Sequence, residues 1–164
     1  MKRIINFFFF ISIYLIIDLI LTQFVLFNFF YKKLEKQYAA DLESRVTNQY
    51  YKYTFKKKVS FKSNYQGYNY NISTNNLGFR DYKIRDLNKH KTYSIIIGDS
   101  FAEGVGIEFE DTLTGQLNEL IKLQRNNYEF LTAGVASYST YIYQKKIIHI
   151  LENNQWLNVD KIIL

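Results

Sequence analysis

The residues of this chain best placed to do chemistry lie together at Gly98-Asp99-Ser100. They follow Tyr93–Ile97, an apolar run of strand length, so the serine falls where a strand ends. A hydroxyl on a tight turn beside glycine is exposed, and the backbone N–H groups after it point outward, where an oxyanion can bind. A second short strand, Tyr128–Leu131, ends at Ala133-Gly134, and glycine there admits another N–H to the same point with no side chain in the way. A serine hydroxyl with two such donors is half of an acyl-transfer site. Other chemistries fail on the residues present. The run GDSFAEGVG lacks the Gly-Lys-Ser/Thr ending of a phosphate-binding loop, and Ala102 stands where Gly-x-Ser-x-Gly needs its second glycine. With no cysteine and no histidine pair at ligand spacing, neither a metal nor another cofactor is expected. His90 precedes the first strand and His149 falls inside a helix, so both read as surface or packing residues rather than as a base.

The elements that must position these residues alternate. After the first strand, Asp111-Thr112 opens a helical stretch carrying Leu113, Leu117, Leu120 and Ile121. After the second, Ser137 or Ser139 caps a helix with Ile142, Ile147, Ile150 and Leu151, and Val159–Leu164 begins a third strand. This β-α-β-α-β rhythm over Thr92–Leu164 predicts a parallel sheet with right-handed crossovers, whose ligands bind beyond the carboxyl ends of the strands. Upstream, Tyr68, Tyr70 and Ile72 alternate with Asn69, Asn71 and Ser73, the pattern of a half-buried strand.

The whole chain has 164 residues, a net charge of +6, 18% aromatic residues and no proline. The charge is unevenly placed, because Ile4–Phe30 contains a single ionised group, Asp18. At about 1.5 Å per residue that segment is roughly 40 Å long as a helix, enough to cross a hydrocarbon core of about 30 Å. It is too long for the apolar region of a cleavable signal and reads as an uncleaved anchor. Asp18, mid-span, reads either as a contact for a partner helix or as one tolerated polar residue. The basic flanks, Lys2 and Arg3 before the span and Lys32, Lys33, Lys36 and Arg45 after it, do not decide its orientation. Leu34, Tyr38 and Leu42 have helical spacing and predict a short stalk. Tyr50–Lys62 interleaves five lysines with five aromatics and no acid. It fits a strip lying on anionic headgroups or a strand with a solvated lysine face, and no nucleic-acid motif accompanies it.

Ile97-Gly98-Asp99-Ser100-Phe101-Ala102-Glu103-Gly104 resembles the first block of the SGNH (GDSL-type) hydrolases, and Ala133-Gly134-Val135-Ala136-Ser137-Tyr138-Ser139-Thr140 resembles their second. Asn75-Asn76-Leu77-Gly78-Phe79-Arg80-Asp81 is similar to a lead-in of membrane-anchored members. The resemblance covers about 75–164. It implies the N-terminal part of a three-layer α/β/α domain over 92–164, and the residues before it read as a transmembrane anchor over 1–31 and a stalk and β-rich lead-in over 32–91. Ser100 would be the nucleophile, Gly98 and Asp99 would shape its turn, and the backbone N–H groups of Ser100 and Gly134 would form the oxyanion hole. Glu103, Gly104 and Gly106 would shape the loop over the site. The implied substrates are O-acyl esters on cell-envelope glycans or lipids, with the soluble part outside the cytoplasm. The family's later Asn and Asp-x-x-His blocks do not occur in 1–164, so this polypeptide is expected to be an N-terminal portion, inactive alone as an esterase. Two further classes compete with that reading: a non-catalytic membrane-anchored binding module on the same sheet, and a membrane-interaction protein working through the Tyr50–Lys62 lysines.

Overall fold

The computed structural model describes residues 2–32, 43–124 and 127–164, which fall into two compact units, Met1–Ala39 and Ala40–Leu164. The stalk positions Leu34, Tyr38 and Leu42, with Lys33 and Lys36, lie outside the described residues.

In the first unit, helix α1 (Lys2–Val25) runs on into a π-helical segment, Leu26–Tyr31. Asn6–Tyr31 is long and apolar enough to cross a membrane, and none of its hydrophobic window is buried. Its polar side chains turn back on their own backbone: Ser12 Oγ donates to the Phe8 carbonyl (2.9 Å) and Asn28 Nδ2 to the Phe24 carbonyl (3.0 Å). A segment surrounded by hydrocarbon must satisfy its polar groups in this way.

The second unit is mixed α/β. Its parallel strands β6 (Thr92–Ile96), β7 (Tyr128–Thr132) and β8 (Asn158–Ile163) lie in the order β7-β6-β8. The expected all-parallel sheet is wider and mixed. β3 (Ser60–Tyr65), β4 (Tyr68–Thr74) and the two-residue β5 (Arg80–Asp81) add antiparallel to the free side of β7, giving β3-β4-β5-β7-β6-β8. A two-residue strand has no periodicity, so nothing in the sequence pattern announces this join. β3 and β4 close through Gln66-Gly67, both at positive φ, the backbone that matches strand twist in a two-residue hairpin. Tyr70 and Ile72 point into the core as the alternation predicts, while Tyr68, beside the turn, stays exposed. β1 (Arg45–Asn48) and β2 (Lys52–Phe55) form a separate hairpin.

The main core joins Tyr93, Ile95 and Ile97 of the first parallel strand and its exit to Leu131, Ala133, Phe79 and Leu87. Ile150, from helix α4 (Thr140–Asn153), covers them. Ser139 occupies the N-cap position of α4 but makes no side-chain capping bond. In helix α3 (Leu113–Lys122), Thr112 caps the start by accepting from Gly115 N–H at 3.0 Å. The leucine face read from spacing is not its buried face: Thr114 and Gly115 are buried, whereas Leu113 and Leu120 are exposed. The reason is where α3 sits. β5 covers only the end of β7, and α3 guards the rest of that edge, with Asn118 bonding both the N–H (2.8 Å) and the C=O (2.9 Å) of Phe130. A side-chain amide here stands in for the missing neighbouring strand.

Candidate active site

The site begins where β6 stops. Asp99 accepts from the Phe101 N–H at 3.0 Å and so caps a single-turn helix, α2 (Ser100–Glu103). Gly104 ends that turn at φ +78°, a left-handed conformation, with its N–H reaching the Ser100 carbonyl at 3.0 Å. The turn after β7 lies against it. Thr132 Oγ1 donates to the Ala102 carbonyl (2.6 Å), and Val135 N–H donates to the Gly98 carbonyl (3.1 Å). Gly134 is required by this approach, because a Cβ there would lie 2.6 Å from the Ala102 Cβ and 3.1 Å from the Glu103 nitrogen. The two glycine turns expected to cooperate are therefore packed on each other. Among the described residues, neither the Ser100 N–H nor the Gly134 N–H donates to a protein acceptor, and the Ser100 hydroxyl has no hydrogen-bond partner.

Neither histidine accompanies the serine. His90 is exposed at the entrance to β6, the end of the strand away from Ser100, and His149 stacks on Tyr50 (4.7 Å) and meets Tyr51 edge to face (5.3 Å). Among the described residues no three acidic, histidine or cysteine side chains cluster as a metal site would need.

Beneath the two turns lies a buried polar layer. Glu103, fully buried, is ion-paired with Arg45 Nη2 at 3.2 Å and accepts from the Ala136 N–H at 2.5 Å. It thus ties α2 to the second block and to β1. Lys146, from α4, is also fully enclosed and donates to the Ala133 carbonyl at 2.7 Å. Burial pulls its pKa down to about 7, with nearby Glu103 opposing and Arg45 assisting that drop. Arg80 is buried too, and its guanidinium binds the carbonyls of Glu103 (3.0 Å), Gly104 (2.5 Å) and Ile107 (2.5 Å), with the Tyr70 ring 5.3 Å away. One planar fork therefore holds the loop that follows Ser100.

The hairpin β1–β2 brings the aromatic strip to this layer. Tyr51 and Phe55 are buried, Tyr53 donates to the Ala136 carbonyl (2.6 Å), and Tyr138 donates to the Tyr53 carbonyl. Burial raises the Tyr138 hydroxyl far above the usual tyrosine range. Lys52, Lys56, Lys57, Lys58 and Lys62 face solvent, with Lys58 paired to Asp86. The interleaving of rings and lysines thus reflects two faces of one segment.

Glu103 and Arg80 lie inside the recognised blocks. Lys146 was legible only as a polar residue at the centre of an apolar stripe, since Ile142, Lys146 and Ile150 recur every four residues. Arg45, by contrast, carries no local signal at all. No protein-family model matches the chain, and no curated protein matches it.

Proposed function

We propose that this chain carries the nucleophile and oxyanion hole of a membrane-anchored serine esterase of SGNH type, acting on O-acyl esters. The observation that supports it most is the packing of the Gly134 turn onto α2, which leaves the N–H groups of Ser100 and Gly134 without protein acceptors beside an unpartnered serine hydroxyl. The strand order β7-β6-β8 agrees with the first three strands of a doubly wound α/β/α sheet, with Ser100 and Gly134 at carboxyl ends. In the reaction, Ser100 Oγ forms a bond to the ester carbonyl carbon and loses its proton to a base. The carbonyl oxygen takes the negative charge and is held by the two N–H groups. The alkoxide then leaves as the alcohol after protonation, and water releases the acyl group as a carboxylate. Neither histidine of the chain is placed to serve as that base, so slow turnover is expected. The helix Asn6–Tyr31 would hold the site close to the membrane, on its extracytoplasmic side, so the partners are an acyl ester and the bilayer.

A fluorophosphonate, which mimics the tetrahedral intermediate, tests this reading. The expected result is phosphonylation at Ser100 faster than at the exposed Ser137 and Ser139, located by mass spectrometry and absent from Ser100→Ala. Equal labelling of all three serines would overturn it.

A further inference from the structure

Ala133 C=O and Gly134 N–H belong to one peptide group, and the two ends of that group meet different things. The N–H is the proposed oxyanion donor, and the C=O accepts from Lys146 Nζ at 2.7 Å. That is the lysine's shortest bond; its other two contacts, Thr54 Oγ1 (3.4 Å) and Tyr138 Oη (3.5 Å), are long. Among the described residues no carboxylate bonds it directly. The groups facing it are Glu103 of α2, Arg45 of β1, Tyr51 of the β1–β2 turn, Thr54 of β2, Phe79, and Tyr138 before α4, with the rings of Tyr51, Phe79 and Tyr138 5.0–5.5 Å from the ammonium. Burying a lysine among rings is costly unless the cation has work that a methylene chain cannot do.

We propose that Lys146 is a positioning residue for the oxyanion hole: its bond to the Ala133 carbonyl fixes the plane of the 133–134 peptide and polarises the Gly134 N–H toward the site. A charge-assisted bond at one end of an amide strengthens the donor at the other, and the low local dielectric magnifies this. The inference rests on Gly134 being the oxyanion donor, but the polarisation itself can be read without catalysis.

Ala133-Gly134 is the only Ala–Gly step in the sequence, so carbonyl-¹³C alanine with ¹⁵N glycine isolates this one amide in the full chain in lipid nanodiscs. In the wild type the Gly134 amide proton should move upfield as pH rises through about 7, where Lys146 loses its charge. In Lys146→Met it should sit at the upfield position throughout, and in Lys146→Arg, always charged, at the downfield position throughout. The other six glycine amides report whether each variant is folded. Ser100 phosphonylation at pH 6 should slow about tenfold in Lys146→Met, short of the roughly 10²–10³ lost with an oxyanion donor itself, and recover in Lys146→Arg. A Gly134 amide that stays still with pH in the wild type, or equal labelling rates in wild type and folded Lys146→Met, would overturn the inference. Labelling of Ser100 no faster than that of Ser137 and Ser139 in the wild type would instead overturn the esterase reading, leaving the Gly134 titration to judge Lys146 alone.

Discussion

Replacing Glu103 by Gln tests the buried layer most sharply, because it removes a charge and little else. The glutamine oxygen can still accept from the Ala136 N–H, so the backbone tie is kept, and the volume hardly changes. What disappears is a negative charge 3.2 Å from Arg45 that also favours the charged form of Lys146. Removing one member of a buried pair costs about 3–5 kcal/mol. The Arg45 side chain is 11% exposed and can reach some water, which places the expected loss near the lower end, about 3 kcal/mol. At roughly 4 °C per kcal/mol for a unit of this size, Tm should fall by about 12 °C. Trp156 is the only tryptophan, lies in the second unit and is 39% exposed, so its fluorescence during urea unfolding, followed beside far-UV circular dichroism, reads the change. The same substitution in a Lys146→Met background should cost about 1–2 kcal/mol less, since one stranded cation is gone. A loss below about 0.5 kcal/mol, or identical losses in both backgrounds, would refute the claim that Glu103 compensates these cations.

Gly134→Ala should destabilise by about 1–3 kcal/mol through overpacking on Ala102 and, by displacing the N–H, should slow Ser100 phosphonylation by up to about 10²–10³-fold, both measurable on the same purified protein. Arg80→Lys keeps the charge but cannot reach four carbonyls with a planar fork; unfolding by urea should show a loss of about 2–4 kcal/mol, and unchanged stability would mean the loop holds itself. The lowered pKa of Lys146 sets a pH dependence whose sign is fixed: above about 7 the folded state has shed a proton that the unfolded chain keeps to about 10.5. Stability should therefore rise between pH 7 and 10, by at most about 1.4 kcal/mol per pH unit, and flatten in Lys146→Met. Burial raises the pKa values of Tyr51, Tyr70, Tyr93 and Tyr138, so the curve should turn down beyond about pH 10.

The sequence by itself determined the features that depend on neighbours along the chain. Uniform apolarity from Ile4 to Phe30 can only make a helix that crosses a bilayer or is buried. The strand, turn and helix periods from Thr92 to Leu164 locate β6, α3, β7, α4 and β8 to within a residue or two. The glycines at 98 and 134 mark the two turns that follow β6 and β7. Tertiary structure decided whatever depends on contacts between distant segments. That β5, two residues long, joins a hairpin to β7 is a matter of pairing, which leaves no periodic trace. That α3 buries Thr114 and Gly115 in place of its leucines follows from its lying along a strand edge. The lysine-aromatic strip resolves into buried rings and solvated lysines only once β2 is laid against the second block. Arg45, Glu103, Arg80 and Lys146 come together from β1, α2, β5 and α4, and a charge is recognisable as buried only when all the elements around it are in place. Local pattern encodes backbone geometry, whereas desolvation is a property of the assembled fold.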